Sequence, residues 1–313
     1  MLVVVVAACG GDRGGGEPPG LVTGTTAAPK PIDPGRAARD GAELARAVAQ
    51  PWQVAAAALG PHRLTVDSTV IVKDGATVLE ELSDHTVIES AASGEYHATA
   101  ENTAANTPSG YGREVVWVGG TLYLRPRYAL WHGRAPETVE EPEAIRDQLA
   151  AVLADYVDLV ARGLEVSDKG AVQAAGRSAH RVELKLAPSQ RSAAPATVSQ
   201  RGWRDHATVT AVSGEVVLDD ALGVALAATL SGEVGFERDG KRLTMAVTVK
   251  HTVEAIAAPT IAPPAVDQVV TAPTRSREVD DRNALLRGIA PPQGKAAADD
   301  SDPAAGSGSG SAS

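Results

Sequence analysis

Leu243-Thr244-Met245-Ala246-Val247-Thr248-Val249-Lys250-His251-Thr252-Val253-Glu254 is the stretch that decides the fold. Its odd positions are apolar except for His251, and its even positions carry Thr, Ala, Lys and Glu. Successive side chains of a β-strand point to opposite faces, so this alternation predicts a strand with one buried and one solvated side. Working outward, Val224, Leu226, Ala228, Leu230 and Val234 repeat the pattern with a break at Gly232. Val182, Leu184 and Leu186 stand opposite Arg181, Glu183 and Lys185, and Leu64, Val66, Val70 and Val72 repeat it earlier. Asp74-Gly75, Ser93-Gly94, Gly119-Gly120 and Asp239-Gly240 punctuate these runs. Gly-Gly and Asp-Gly pairs tolerate the positive φ of tight hairpin loops, so consecutive antiparallel hairpins are expected from about residue 62 onward.

One segment changes period. Ile145, Leu149, Val152, Leu153, Tyr156, Leu159 and Val160 fall at helical spacing, which predicts a single long helix from Pro142 to Arg162. Pro142 suits its first turn, Glu140, Glu141 and Glu143 favour the positive end of its dipole, and Gly163 stops it. A second, Ala-rich helical stretch is expected from about Arg36 to Leu59, kinked at Pro51 and ended by Gly60-Pro61. The expected order is helix, about five strands, one long helix, about six strands.

Composition narrows the function classes. The 313 residues hold 29 Lys and Arg against 39 Asp and Glu, a net charge of −10 that argues against a duplex nucleic-acid partner. With 43% hydrophobic and 22% charged residues the chain supports one core, or two small ones. The single cysteine, Cys9, excludes an intrachain disulfide framework and any cage with two thiolates.

That cysteine follows Leu2, Val3, Val4, Val5, Val6, Ala7 and Ala8, a run about a third of the ~20 residues that span a bilayer. Val6-Ala7-Ala8-Cys9 resembles the bacterial lipoprotein box, which implies cleavage before Cys9 and acylation of that residue. Two or more acyl chains supply stable membrane anchoring. Because neither Lys nor Arg precedes Cys9, the recorded start is expected to be truncated. Gly10 after the cysteine hints at outer-membrane sorting. The resulting organisation is a signal segment at 1–8, the acylated cysteine and a Gly- and Pro-rich linker at 9–35, a folded domain at 36–270, and a tail at 271–313 too poor in apolar residues to order itself.

Many short antiparallel strands interrupted by one helix behind such a cysteine resemble the LolA carrier and the LppX and LprG lipid-binding lipoproteins. The residues carrying the resemblance are Gly119-Gly120-Thr121-Leu122-Tyr123, then Ala175-Gly176-Arg177-Ser178-Ala179-His180-Arg181-Val182-Glu183-Leu184, and a closing segment with Ile256, Ile261 and Pro263. The resemblance implies an α+β, LolA-like fold: a strongly curved antiparallel sheet, an incomplete barrel, wrapped on one long helix with an apolar hollow for acyl chains. It carries no catalytic residue.

Catalytic motifs are sought with little return. Gly235-Phe236-Glu237-Arg238-Asp239-Gly240-Lys241-Arg242 matches a phosphate loop up to its lysine, but Arg242 replaces the hydroxyl residue that would hold magnesium and a strand follows. Gly176-Arg177-Ser178-Ala179-His180 lacks the second glycine of a nucleophile elbow. Among the seven histidines, His62, His85, His97, His132, His180, His206 and His251, no two are three to five residues apart, so short-range zinc spacing is absent. No enzyme activity, metal or cofactor is expected.

Half of the aromatics cluster as Tyr111, Trp117, Tyr123, Tyr128 and Trp131, interleaved with Arg113, Arg125, Arg127 and Arg134. If Tyr123, Arg125 and Arg127 share a concave face, then Trp117, Tyr123, Arg125, Arg127, Tyr128 and Trp131 are candidates to receive an acyl chain and an anionic headgroup. The alternative is that these rings are core or rim packing and the arginines a solvated face. The expected function is lipid or acyl-chain binding or shuttling by a monomer anchored through Cys9 in the bacterial envelope, with a lipid or lipoprotein ligand. The competing expectation is a ligand-free interaction or sensor lipoprotein whose hollow is filled by Ala, Val and Leu.

Overall fold

Asp40 opens the first full helix: its carboxylate accepts from the N–H groups of Ala42 and Glu43 at 2.8 and 3.3 Å, and Glu43 in the first turn adds the favoured charge. The structure, a computed structural model, describes residues 32–104, 111–126, 129–191 and 201–270. The signal segment, Cys9, the linker up to residue 31, the tail, and two candidate ligand residues, Arg127 and Tyr128, therefore lie outside the described residues. Ile32, placed above in the linker, packs on the core, and Asp33 caps the turn that follows it.

The Ala-rich stretch forms α1 (Pro34–Ala37), α2 (Gly41–Val48) and α3 (Trp52–Leu59), with Pro51 at the break where its missing N–H costs nothing. Six strands follow: β1 (His62–Asp74), β2 (Thr77–Ser90), β3 (Tyr96–Ala104), β4 (Tyr111–Val118), β5 (Thr121–Pro126) and β6 (Trp131–Arg134). The long helix expected at 142–162 is two helices, α4 (Glu141–Ala150) and α5 (Val152–Val160), finished by a 3-10 turn at Ala161–Gly163. At Ala151 the N–H bonds one residue short, to Gln148 O at 3.4 Å, and the halves diverge onto different strands, α4 onto β2 and β3, α5 onto β1, β10 and β11. The chain continues as β7 (Leu164–Ala174), β8 (Arg177–Leu186), the short α6 (Arg201–Arg204), β9 (Thr208–Asp219), β10 (Ala225–Arg238), β11 (Lys241–Ala255) and the two-residue β12 (Val269–Val270).

Among the described residues twelve strands form one curved, unclosed sheet in the order β12-β6-β5-β4-β3-β2-β1-β11-β10-β9-β8-β7. All pairs are antiparallel except β12 with β6. Two meanders join where β1 pairs with β11, from His62 opposite Ala255 to Lys73 opposite Thr244. Gly119-Gly120 and Ala175-Gly176 turn hairpins with positive φ at both residues, as does Asp239-Gly240, so the phosphate-loop look-alike is the β10–β11 hairpin.

The alternating residues of β11 are buried as the spacing predicts, His251 included. They join Leu64, Val66, Val70 and Val72 of β1 and Val234 and Phe236 of β10 in one core. α5 contributes Leu153, Tyr156, Val157 and Val160 to it, and the Tyr156 hydroxyl donates to Ser68 Oγ at 3.4 Å. Each fully buried Leu or Val side chain contributes about 1.5–3 kcal/mol. No helix among the described residues is long and apolar enough to cross a membrane.

Candidate functional site

Two interrupted helical stretches, α2–α3 broken at Pro51 and α4–α5 at Ala151, bring their breaks to the walls of one cleft of about 320 Å³. Its walls are Ala47 to Trp52, then Asp147, Gln148, Ala150, Ala151, Leu153 and Ala154, with Val224, Ala225 and His251 from the sheet. Alanine dominates this lining, and a methyl group is too short to fill the space the breaks leave.

Polar contacts hold the walls in place. Gln50 Nε2 reaches Ala47 O at 3.1 Å and, across the cleft end, Leu222 O and Gly223 O at 3.3 and 3.2 Å, which pins the α2–α3 link to the turn before β10. Asp147 accepts from Gln53 N at 3.1 Å and joins α4 to the start of α3. Burial pushes the Asp147 carboxyl above its ordinary range.

Trp52 forms one wall, its ring between two imidazoles at 5.7 Å from His62 and 5.9 Å from His251. The hydrogen bonds fix both tautomers. His62 Nδ1 donates to Gly60 O at 2.7 Å, which leaves Nε2 to accept from Trp52 Nε1 at 3.2 Å. His251 Nε2 donates to Ala225 O at 3.1 Å, so its Nδ1 is an acceptor, and it meets no partner among the described residues. Burial lowers the His62 pKa and takes His251, only 3% exposed, down to about 4, so both rings are neutral near pH 7. The titratable side chains of the cleft are thus Asp147 and a neutral His251. Such a lining can enclose an apolar segment; it places no nucleophile beside a base.

The aromatic and arginine set lies elsewhere and is divided. Cross-strand neighbours share a face. Trp117 sits between Tyr96 and Leu122, on the face that carries the helices. Tyr123 pairs with Val116 and Gly133, on the opposite face, with Arg125 and Trp131 at the same parity. There Arg125 Nε donates to Glu114 Oε2 at 2.7 Å, its guanidinium lies 4.3 Å over the Trp131 ring, and the other Glu114 oxygen meets His97 Nε2 at 2.7 Å. Trp131 is 4% exposed beneath this arrangement, and the Tyr123 ring packs so close to Gly133 that a Cβ there would stand 2.9 Å from its Cε1. The helix-facing side of β5 carries Leu122 and Leu124 instead.

Sequence reasoning missed Trp52, His62 and His251 as a group because they are far apart in the chain. The available signal was His251, the one polar residue on the apolar parity of β11.

No family model matches the chain. No curated protein matches it either. Solved structures do. The chain is similar to LprF from Mycobacterium bovis, with 16% identity over 72% of this chain and 99% of that one and a TM-score of 0.29. A DUF1329 family protein from Desulfovibrio piger is similar at 10% identity, over 71% of this chain and 95% of its own, with a TM-score of 0.24. A putative outer membrane lipoprotein-sorting protein domain from Vibrio parahaemolyticus is similar at 10% identity over 67% and 92%, with a TM-score of 0.19.

Proposed function

We propose that this chain is a bacterial envelope lipoprotein, anchored through an acylated Cys9, whose curved sheet embraces its helices and binds one apolar chain in the cleft beside Trp52. The observation that carries the reading is the alanine-walled space of about 320 Å³ between two helix breaks. This is the small end of the ~300–1,000 Å³ found for ligand sites, so it suits a single acyl tail. Each buried methylene is worth about 0.8 kcal/mol, and eight would contribute roughly 6 kcal/mol before the cost of ordering the chain. The lipoprotein-box match, with Gly10 after the cysteine, supports an outer-membrane, periplasm-facing location.

The test is mass spectrometry of lipid co-purified with the full chain, followed by titration with the fluorescent fatty acid cis-parinaric acid. Ala154→Trp, which fills the cleft, is expected to weaken the probe at least tenfold while the melting temperature holds. Equal binding by this variant rejects the site, and no co-purified lipid together with no probe binding rejects the function.

One observation favours the second reading, a ligand-free interaction or sensor lipoprotein. Gly232 of β10 leaves no room under α5, where side chains already fill the interior. Under that reading the chain purifies lipid-free and its cleft stays empty of probe.

A further inference from the structure

Across the inner face of the sheet, Trp117, Tyr96, Ser90 and His62 form one row of directly opposed residues on β4, β3, β2 and β1. Arg146 of α4 lies over this row, its guanidinium carbon 5.7 Å from the centre of the Tyr96 ring. Arg146 is 3% exposed, and among the described residues it makes no ion pair. Its neighbour in sequence, Asp147, is turned about 100° around the helix, where its carboxylate is committed to Gln53 N. The Tyr96 hydroxyl is committed to Pro142 O at 2.7 Å. Two polar atoms at this spot are buried without a partner among the described residues, Arg146 Nε and the Oγ of Ser90, itself 1% exposed.

A buried guanidinium that no carboxylate among the described residues contacts directly, with Asp147 acting on it only through space, is costly, and a buried hydroxyl left unpaired adds to that cost. Both atoms can donate a hydrogen bond, Ser90 stands opposite Tyr96 and the Arg146 guanidinium lies over the Tyr96 ring, and the positive charge of Arg146 adds to the burial that disfavours a proton on His62. An oxyanion is the group that satisfies a cation and a hydroxyl donor together. We propose that Arg146 and Ser90 form a binding site for one carboxylate, either a free small acid or the head of a fatty acid, between α4 and strands β2 and β3. This site is distinct from the cleft: Arg146 and Ser90 are not among the cleft walls, although Asp147, the next residue along α4, is.

The test uses the full chain with acetate, dodecanoate and dodecanol, followed by calorimetric titration and thermal melting. Acetate and dodecanoate are expected to bind wild type and raise its melting temperature. Arg146→Gln is expected to weaken both about ten- to a hundredfold, the value of one charged hydrogen bond, and Ser90→Ala to weaken them by a smaller factor. Arg146→Lys is expected to recover part of the binding. If only dodecanoate binds and the substitutions weaken it, the carboxylate is a lipid head; if acetate binds equally well, it is a free acid. Wild type that takes neither acid, or Arg146→Gln and Ser90→Ala that bind both as tightly as wild type, overturns the site. Should Arg146→Gln fail to fold, Ser90→Ala alone decides. Dodecanol, which lacks the charge, is expected to be indifferent to all three substitutions, so loss of acid binding with dodecanol retained separates this site from the cleft.

Discussion

Gly232 of β10 lies so close under Val160 of α5 that a Cβ on the glycine would stand 2.7 Å from Val160 Cγ1 and 3.3 Å from Val247 Cγ2. Val160 is fully buried and β-branched, so its rotamer is stiff and the contact cannot be relieved by the far end of a flexible chain. Gly232→Ala is therefore expected to destabilise. Overpacking costs about 1–3 kcal/mol, and the entropy that Gly loses on folding returns less than about 1 of these. Urea unfolding measures the difference; a midpoint at or above wild type contradicts the contact.

Gly214 of β9 provides a steeper case. Its φ is +139°, and a Cβ there would stand 2.1 Å from the carbonyl oxygen of Thr229 on the paired strand. Backbone in mid-sheet cannot retreat as a side chain can, so Gly214→Ala is expected to cost more than Gly232→Ala, upward of about 3 kcal/mol. Equal midpoints for the two variants would show that β9 and β10 separate easily.

Ser213-Gly214-Glu215-Val216 and Ser231-Gly232-Glu233-Val234 are similar in sequence but too short to count as a repeat. They are antiparallel neighbours, Ser213 opposite Ser231, and each glycine answers a different obstacle. Strand parity was legible where the period of two runs unbroken, as along β11, and bulges at Val72/Lys73, Asp168/Ala171 and Glu233/Val234 interrupt it elsewhere. On β5 that parity sets Leu122 and Leu124 opposite Tyr123 and Arg125. Which of those faces meets the helices was not legible, because both contain apolar residues and the choice is made by α4 and α5. Nor was the break at Ala151: Gln148-Leu149-Ala150-Ala151-Val152-Leu153 holds no glycine or proline, and the halves part only because they seat on different strands. The cleft follows from that break and from alanines that carry no pattern of their own.

Asp219, 1% exposed, ends β9 by accepting from Ala221 N and Leu222 N at 2.9 and 2.7 Å while meeting Arg177 Nε at 2.5 Å. Asp219→Ala strands two amides and a guanidinium, and a loss of about 3 kcal/mol is expected. Asp219→Asn keeps an acceptor for the turn and is expected to lose about half as much. The order of the two chemical-denaturation midpoints checks this, and a reversed order removes the turn from the explanation.

On the outer face, Arg125 covers Trp131 and is held there by Glu114. Arg125→Ala is expected to cost about 1 kcal/mol of stability, the usual range for a partly exposed cation over an indole. Because this face points away from the helices, cis-parinaric acid binding is expected to stay within twofold of wild type. A tenfold weaker probe would make Tyr123, Arg125 and Trp131 part of the ligand site after all.

His251 sets the acid limit of the fold. In the unfolded chain its imidazole takes a proton near pH 6.5, whereas in the folded chain burial holds it to about 4. Between those values the unfolded state binds more protons, so stability rises with pH across this window. It is fully present above about 6.5, falls away as pH drops toward 4, and loses nothing more from this group below that. At about 1.4 kcal/mol per unit the total is roughly 3 kcal/mol. His62, whose pKa burial also lowers, acts in the same direction. Asp147, raised by burial, acts oppositely, since its protonation favours the fold. His251→Gln, which cannot titrate, is expected to flatten the fall in urea midpoint between pH 7 and pH 4.5, leaving the smaller slope due to His62 and the carboxylates. An undiminished slope in that variant would place the acid sensitivity outside the Trp52 wall of the cleft.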